Sequence, residues 1–170
     1  MGPPARRLCR AAAADVIRSL TEGERALAAE AFGDALALDP VRFLPASWPF
    51  NRAFVPGRWF GRDWIVWPKQ TLPPDIALAP LRLQTLLIHE LTHVWQAQQG
   101  VNLLTGKIRA GDRPSSYEYP VGMDCHWGGL NIEQQAMVVE HRFRLTRGLP
   151  APADPAFYDR VCPIGPRIGA

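Results

Sequence analysis

Long apolar runs, paired cysteines and clustered basic residues are all scarce in this sequence. No stretch approaches the roughly 20 consecutive apolar residues of a membrane-spanning helix. The three cysteines, Cys9, Cys125 and Cys162, are far apart and odd in number, which excludes a disulfide framework or a CxxC site. The formal net charge is only +3 and the arginines are scattered, unlike the basic stripe of a nucleic-acid-binding face. We therefore expect no membrane span and no nucleic-acid partner.

The amino terminus carries no recognisable export signal. Residues 1–20 read MGPPARRLCRAAAADVIRSL, and their alanine run is too short and too mild for the apolar region of a signal peptide. Arg6 stands where an N-myristoylation motif requires serine or threonine. We expect a cytoplasmic protein in a reducing compartment, which would leave the cell only through a dedicated secretion apparatus.

The composition is that of one globular domain. With 170 residues, of which 47% are hydrophobic and 21% charged, the chain can bury a substantial core. We expect a single domain over 1–170, with an irregular, proline-rich tail over 151–170 that wraps the surface. A first helix is predicted over residues 5–20. Thr21 and Glu24 form a capping-box signature for a second helix, which ends near Leu38.

The middle of the chain changes from strand to helix patterns. Short apolar runs between residues 41 and 74 predict strands, with GRWFGRD as a possible hairpin connection. Pro80 and Gly100 are suited to begin and to stop a helix. Leucines and a valine recur along that helix at core spacing, and Thr85, His89, His93 and Gln96 follow a neighbouring face. Residues 101–129 are too irregular to assign. A last helix is predicted from the cap Asn131, with Gln134 three residues on as its capping-box partner, to about Arg147.

The segment HELTHVWQ, residues 89–96, carries the clearest chemical signal. Two histidines four residues apart lie on one face of a helix, so His89 and His93 can bind one ion. Zinc accepts imidazole nitrogen in tetrahedral geometry, and Glu90 is placed to act as a general base on a water at the open position. The alternative is a pair of hydrogen-bonded core histidines. The helical context and the presence of only four histidines in the chain favour a metal.

A zinc site of this kind needs a third protein ligand. Glu133, in the first turn of the last helix, is our choice, although an acidic residue there also complements the helix dipole. Glu140 lies two turns further along the same face as an alternative ligand or as a partner that orients a histidine. His126 and Asp124 are rival ligands. Cys125 is more simply explained as a packing residue.

The same residues carry a resemblance. HELTHVWQ, followed some forty residues later by EQQA-x-V-x-E, resembles bacterial Vgr-related or Rhs-associated proteins, similar to the zincin-like domain of contractile-injection loci. The similarity spans Leu20 to about Gly148 and includes YEY at 117–119. It implies His89, His93 and Glu133 as ligands and Glu90 as the catalytic glutamate. Met137 departs from the acidic residue that many glutamate-ligand zincins keep at this place.

The resemblance implies an α+β, zincin-like fold, in which a small mixed sheet packs on the HExxH helix and a second helix carries the glutamate. The aromatic strands at 54–67 would form the sheet, with DWIVW, residues 63–67, as its exposed edge. An extended peptide can add to such an edge as a further strand.

Two functions follow from these residues. The first is a zinc-dependent peptidase in which Glu90 transfers the proton and Tyr117, Tyr119, His126 or His141 stabilises the oxyanion. Peptide, peptidoglycan cross-link and self-processing are all open as substrates. The second is a non-catalytic, zinc-stabilised accessory or adaptor module of a Vgr/Rhs-type secretion system, with secretion-apparatus proteins as partners.

Overall fold

The computed structural model describes residues 16–111 and 113–168. These residues form five α-helices and three β-strands: α1 (Glu22–Phe32), β1 (Val41–Ala46), β2 (Phe54–Trp59), β3 (Arg62–Pro68), α2 (Leu81–Gln98), α3 (Leu103–Ala110), α4 (Ile132–Thr146) and α5 (Pro155–Val161). The predicted α+β class is confirmed. None of the helices in this part of the chain is long and apolar enough to cross a bilayer.

The sheet is mixed and has the order β1–β3–β2. β3 lies at its centre, parallel to β1 and antiparallel to β2. The prediction that DWIVW forms the edge is therefore wrong. Ile65, Val66 and Trp67 are consecutive and buried, so both faces of this strand are covered, as is typical of a central strand. The edge that faces the helices is β2, which packs against α2.

The segment before α1 differs from its prediction. Residues 5–15 of the predicted first helix lie outside the described residues, and residues 16–20 are not helical. Arg18 instead forms an antiparallel bridge with Phe43 of β1, in which each backbone N–H donates to the other residue's carbonyl. Its guanidinium also holds Glu24 through two 2.7 Å hydrogen bonds. These tertiary contacts outweigh the local helix pattern.

Both predicted capping boxes are present. Thr21 and Glu24 cap α1, and Asn131 and Gln134 cap α4 through reciprocal side-chain and backbone hydrogen bonds. α1 ends at Phe32 rather than near Leu38, and the next residue is a glycine with a positive φ. The capping box of α4 fixes the first turn of that helix, which carries Glu133.

α2 is the central helix of the molecule and packs along α4. It follows Pro80, and Gly100 adopts a φ of +84° directly after its cap, as the sequence predicts. Leu87, Leu91 and Val94 are fully buried in the core between the helices and the sheet. Leu83 and Leu86 pack against the margin of this core and are only half-buried, because they also line a cleft.

Two helices lie where none was predicted. Asn102 caps α3, in the segment that the sequence left unassigned. The tail is not irregular throughout, because Asp154 caps α5 and Pro155 occupies its first turn, where the missing N–H of proline costs nothing. Phe157 and Tyr158 of this helix are buried, so the tail completes the core instead of only wrapping the surface.

Candidate metal centre

His89 and His93 lie one turn apart on α2 and face the same side. Their ring centroids are 5.0 Å apart, and both side chains are buried. Burial of two imidazoles on one helix face requires polar partners on the facing element. The facing element is the first turn of α4, where Ala136 is fully buried and lets the two helices approach closely.

Glu133 of α4 supplies the third donor. Its Oε2 lies 3.3 Å from Nε2 of His89 and 3.2 Å from Nε2 of His93. Two ligands of a tetrahedral zinc ion at their usual bond lengths are about 3.3 Å apart, so both separations suit a shared ion. Among the described residues, these three are the group of His, Cys, Asp and Glu side chains whose donor atoms converge in this way.

Gln96 fixes the tautomer of His93. Its Nε2 donates to the backbone carbonyl of Ile132 at 2.9 Å and to Oε1 of Gln135 at 2.9 Å, so its own Oε1 faces His93. Nδ1 of His93 is 2.8 Å from that oxygen and must donate to it. The proton of a neutral His93 is therefore on Nδ1, and its Nε2 lone pair faces Glu133.

Glu140 plays the corresponding part for His89. Its Oε2 lies 3.2 Å from Nδ1 of His89, so the carboxylate receives that N–H and leaves Nε2 directed at Glu133. Of the two roles considered for Glu140, the structure places it as the partner that orients a histidine. Met137 is not needed for this task, since Glu140, one turn further along α4, performs it.

The arrangement requires a positive charge between the rings and the carboxylate. Two Nε2 lone pairs would otherwise face one anionic oxygen, so additional protons or a metal cation must lie there. Without a metal, burial lowers the pKa of His89, but hydrogen bonds to Glu133 and Glu140 outweigh burial and raise the pKa to about 9. Burial raises the pKa of Glu133, and hydrogen bonds from His89 and His93 outweigh it, so the pKa lies well below its ordinary value. The residues present fit a divalent cation such as zinc.

Glu90 is buried beside the triad but does not belong to it. It does not share the ligand group of its helix neighbour His89, and its Oε2 has no hydrogen-bond partner among the described residues. A buried carboxylate oxygen without a partner is costly, and such groups are found at functional sites. Glu90 also lines a cleft, so its side chain adjoins a space that is open to solvent.

Two clefts border the metal group. The first, the apolar cleft, has a volume of about 450 Å³ and is lined by Trp67, Leu83, Leu86, His89, Glu90 and Met137 among others. The second cleft, of about 310 Å³, is lined by Phe54, Lys107, Ile108 and Glu133. Arg52, Ala53 and Tyr117 border both clefts. The first cleft reaches the metal group at His89, and the second reaches it at Glu133.

The four oxyanion candidates have different positions. The half-buried ring of Tyr117 lies 6.4 Å from that of His89 and borders both clefts. Tyr119 contacts Nδ1 of His141 at 2.6 Å and the hydroxyl of Tyr158 at 2.8 Å, in a network that joins α4 to α5. Burial raises the pKa of Tyr119 and lowers that of His141. Of the predicted candidates, Tyr117 is the one that the fold brings to the clefts.

The rival ligands lie elsewhere. His126 is exposed, and its Nδ1 is 3.0 Å from the backbone oxygen of Asp124, which is also exposed. Neither joins the metal group found among the described residues. Cys125 is buried, and burial raises the pKa of its thiol, which opposes a thiolate. These residues supply neither a ligand nor a nucleophile to the site.

Comparison with known proteins identifies the chain's relatives. No protein-family model matches it. The solved effector domain of Pseudomonas aeruginosa VgrG2b superimposes with a TM-score of 0.64 at 30% sequence identity, over 82% of this chain and 80% of that domain. This chain belongs to the VgrG2b effector-domain family. The Vgr-related part of the predicted resemblance is thereby confirmed.

The match to the complete relative is partial. This VgrG2b-family domain is 34% identical over 142 residues to the type VI secretion system spike protein VgrG2b of P. aeruginosa, and the match covers 76% of this chain and 13% of that protein. The chain thus corresponds to a small part of the relative's length.

Sequence reasoning missed two contributors to the site of this VgrG2b-family domain. Gln96 was placed on the histidine face, but its role depends on the carbonyl of Ile132, which only the packing of α4 brings near. Lys107 lies on α3, which was not predicted, with its Nζ 3.9 Å from Oε1 of Glu133. The asparagine cap before α3 was the available signal for that helix.

Proposed function

We propose that this chain is a zinc-dependent peptidase domain that acts with a Vgr-type secretion apparatus. Its family includes the effector domain of VgrG2b, and the full relative is a type VI secretion system spike protein. This relationship supports the secretion-system association of our second hypothesis. We accordingly infer export by such an apparatus, with spike or other secretion-apparatus proteins as partners. The peptidase activity rests on the metal centre.

One observation carries the catalytic proposal: a three-donor group lies beside a buried carboxylate oxygen that has no partner among the described residues. Three protein ligands leave the fourth position of a tetrahedral zinc open, whereas a structural site is closed by a fourth ligand. Glu90 lines the apolar cleft together with His89, one of the three donors. The HExxH helix with a glutamate ligand from a second helix is the arrangement of the glutamate-ligand zincins, and we assign the chain to that type.

In the proposed reaction a bound zinc ion supplies Lewis-acid activation of the attacking water and of the scissile carbonyl. Glu90 accepts the proton of the water at Oε2 and delivers it to the nitrogen of the leaving amine. We assign to Tyr117, which borders both clefts, the donation of a hydroxyl hydrogen to the developing oxyanion. Glu140 and Gln96 hold the two imidazoles in the orientation in which both Nε2 atoms can bind a metal ion.

The proposed substrate is a peptide or a peptide-like chain. β2 is the edge strand that packs against α2, so an extended chain could add to it by backbone hydrogen bonds and run across the metal group. Leu86 and Met137 border the apolar cleft beside Glu90, and they suit an apolar side chain next to the scissile bond.

The decisive test compares the parent with Glu90→Gln. The variant keeps the size of the side chain but cannot accept a proton, so we expect it to fold and to hold about one zinc per chain. Hydrolysis should fall ~10²–10⁴-fold, the usual contribution of a general base. Both proteins are incubated with a mixed peptide library and with isolated peptidoglycan. Mass spectrometry reads the products, including any self-cleavage, and elemental analysis gives the zinc content.

The outcomes separate the two hypotheses. Equal cleavage by both proteins would exclude Glu90 as the base. A parent that holds zinc yet cleaves nothing would favour the non-catalytic, zinc-stabilised module. A parent with well under half an equivalent of zinc after supplementation would refute the metal centre itself.

A further inference from the structure

The turn between β2 and β3 presents aromatic side chains to solvent at a steric cost. β2 ends at Trp59 and β3 begins at Arg62, and these two residues pair, so the turn consists of Phe60 and Gly61 alone. Their φ angles are +53° and +71°. A two-residue turn with two positive φ values normally contains asparagine, aspartate or glycine at its first position, because a bulky side chain is disfavoured there.

Burial of the ring does not offset this cost. The side chain of Phe60 is 98% exposed and that of its neighbour Trp59 is 56% exposed. A strained backbone position occupied by a large apolar residue without packing points to a function rather than to stability. Arg58 and Arg62 flank the turn and are also exposed. We call residues 58–62 the hairpin tip.

The hairpin tip is remote from the metal centre. The apolar cleft involves the segment before β2 and the carboxyl end of β3, whereas the tip lies at the opposite ends of both strands. Six strand residues span about 20 Å. The tip therefore lies outside both clefts that border the metal group, and its role is separate from the chemistry proposed at the three donors.

We propose that the hairpin tip binds the surface of an anionic lipid bilayer. Tryptophan and phenylalanine rings favour the zone between headgroups and acyl chains, and arginines at the same depth contact lipid phosphates. The chain's net charge of +3 favours approach to an anionic surface. A specific protein partner normally covers about 800 Å² of each surface, far more than a two-residue turn offers. A narrow, convex tip instead suits insertion between headgroups.

The test measures co-sedimentation of the full chain with vesicles. One set contains phosphatidylglycerol mixed with phosphatidylcholine, and the other contains phosphatidylcholine alone. We expect binding to the anionic vesicles that weakens with added salt, and little binding to the neutral ones. Phe60→Asn should reduce the partition coefficient by about tenfold, because it removes the inserted ring. Arg62→Gln should reduce it by about fivefold, because it removes one positive charge near the lipid phosphates.

Two controls test whether a loss of binding comes from a loss of folding or from the loss of any exposed aromatic ring. Asparagine tolerates a positive φ, so Phe60→Asn should melt at or above the parent temperature while it loses binding. Trp48→Ser removes another aromatic side chain, 88% exposed in the loop between β1 and β2, and should leave binding unchanged. Equal binding to both vesicle types would overturn the proposal, as would unchanged binding by Phe60→Asn or an equal loss in Trp48→Ser.

Discussion

At the scale of single residues, the proposed metal centre depends on two side chains outside the group of three donors. Each histidine has two ring nitrogens, and a ligand nitrogen is usable only when the proton is held on the other. Glu140 holds it for His89 and Gln96 for His93. Gln96 has a second function, because its amide nitrogen donates to the carbonyl of Ile132, the residue before Glu133. It thus links the orientation of one ligand to the position of another.

Gln96→Ala should weaken zinc binding by ~10–100-fold, the usual effect of losing a partner that orients a ligand. The measurement is a competition titration against a zinc-sensitive dye. Gln99→Ala changes the same residue type at an exposed position just past the end of α2 and serves as the control, with no change in affinity expected. If both variants bind zinc as tightly as the parent, Gln96 has no part in the site.

At the scale of elements, the centre is a contact between α2 and the first turn of α4. α2 provides both histidines, and Glu133 follows the cap of α4 by two residues. The cap matters here because Asn131 fixes the backbone of the turn from which Glu133 projects. Its Oδ1 accepts the N–H of Gln134, and its amide donates to the carbonyl of Ser116. The helix start is thereby attached to the preceding loop.

Asn131→Ala should lower the free energy of unfolding by about 1 kcal/mol and also weaken zinc binding. Thr21→Ala removes the equivalent side chain from the capping box of α1, which carries no ligand. It should cost a similar free energy without changing the zinc affinity. Urea denaturation and zinc titration of both variants provide the comparison. Equal zinc affinity in the two variants would show that the cap does not position Glu133.

At the scale of the whole molecule, the metal-free protein should have a characteristic pH dependence. The pKa of His89 is raised from its ordinary value of 6.5 to about 9, chiefly by Glu133 and Glu140 against the effect of burial. When folding raises the pKa of a group, its full contribution to stability is present at pH values below the pKa of the unfolded chain. That contribution is lost as the pH rises through the pKa of the folded protein. The stability of the zinc-free protein should therefore decline between about pH 6.5 and pH 9, by roughly 3 kcal/mol.

Melting temperatures of chelator-treated protein across this range test the prediction. Saturating zinc should remove the decline, because the metal replaces the protons and binds more tightly as His89 loses its proton. His89→Gln, which cannot titrate, should show a flatter profile than the parent without zinc. If the melting temperature of the zinc-free parent rises between pH 6.5 and pH 9, the raised pKa assigned to His89 is wrong.

Several features of the fold and site follow from local sequence alone. The capping boxes of α1 and α4 and the ends of α2 depend on residues within a few positions of one another, and all are present as predicted. The shared face of His89 and His93 follows from helix geometry. Glu133, predicted as their partner from its place in a helix first turn, converges on them in the structure.

Other features required the tertiary structure, because they depend on which segments meet. DWIVW has the composition of a strand, but its central place is set by pairing with β1 and β2 on its two sides. The choice between ligand and orienting partner for Glu140 depended on the distance from α4 to α2. The sequence by itself determined the donor types and the helix that presents two of them. Packing alone decided which carboxylate completes the group, since that depends on distances between residues forty or more positions apart.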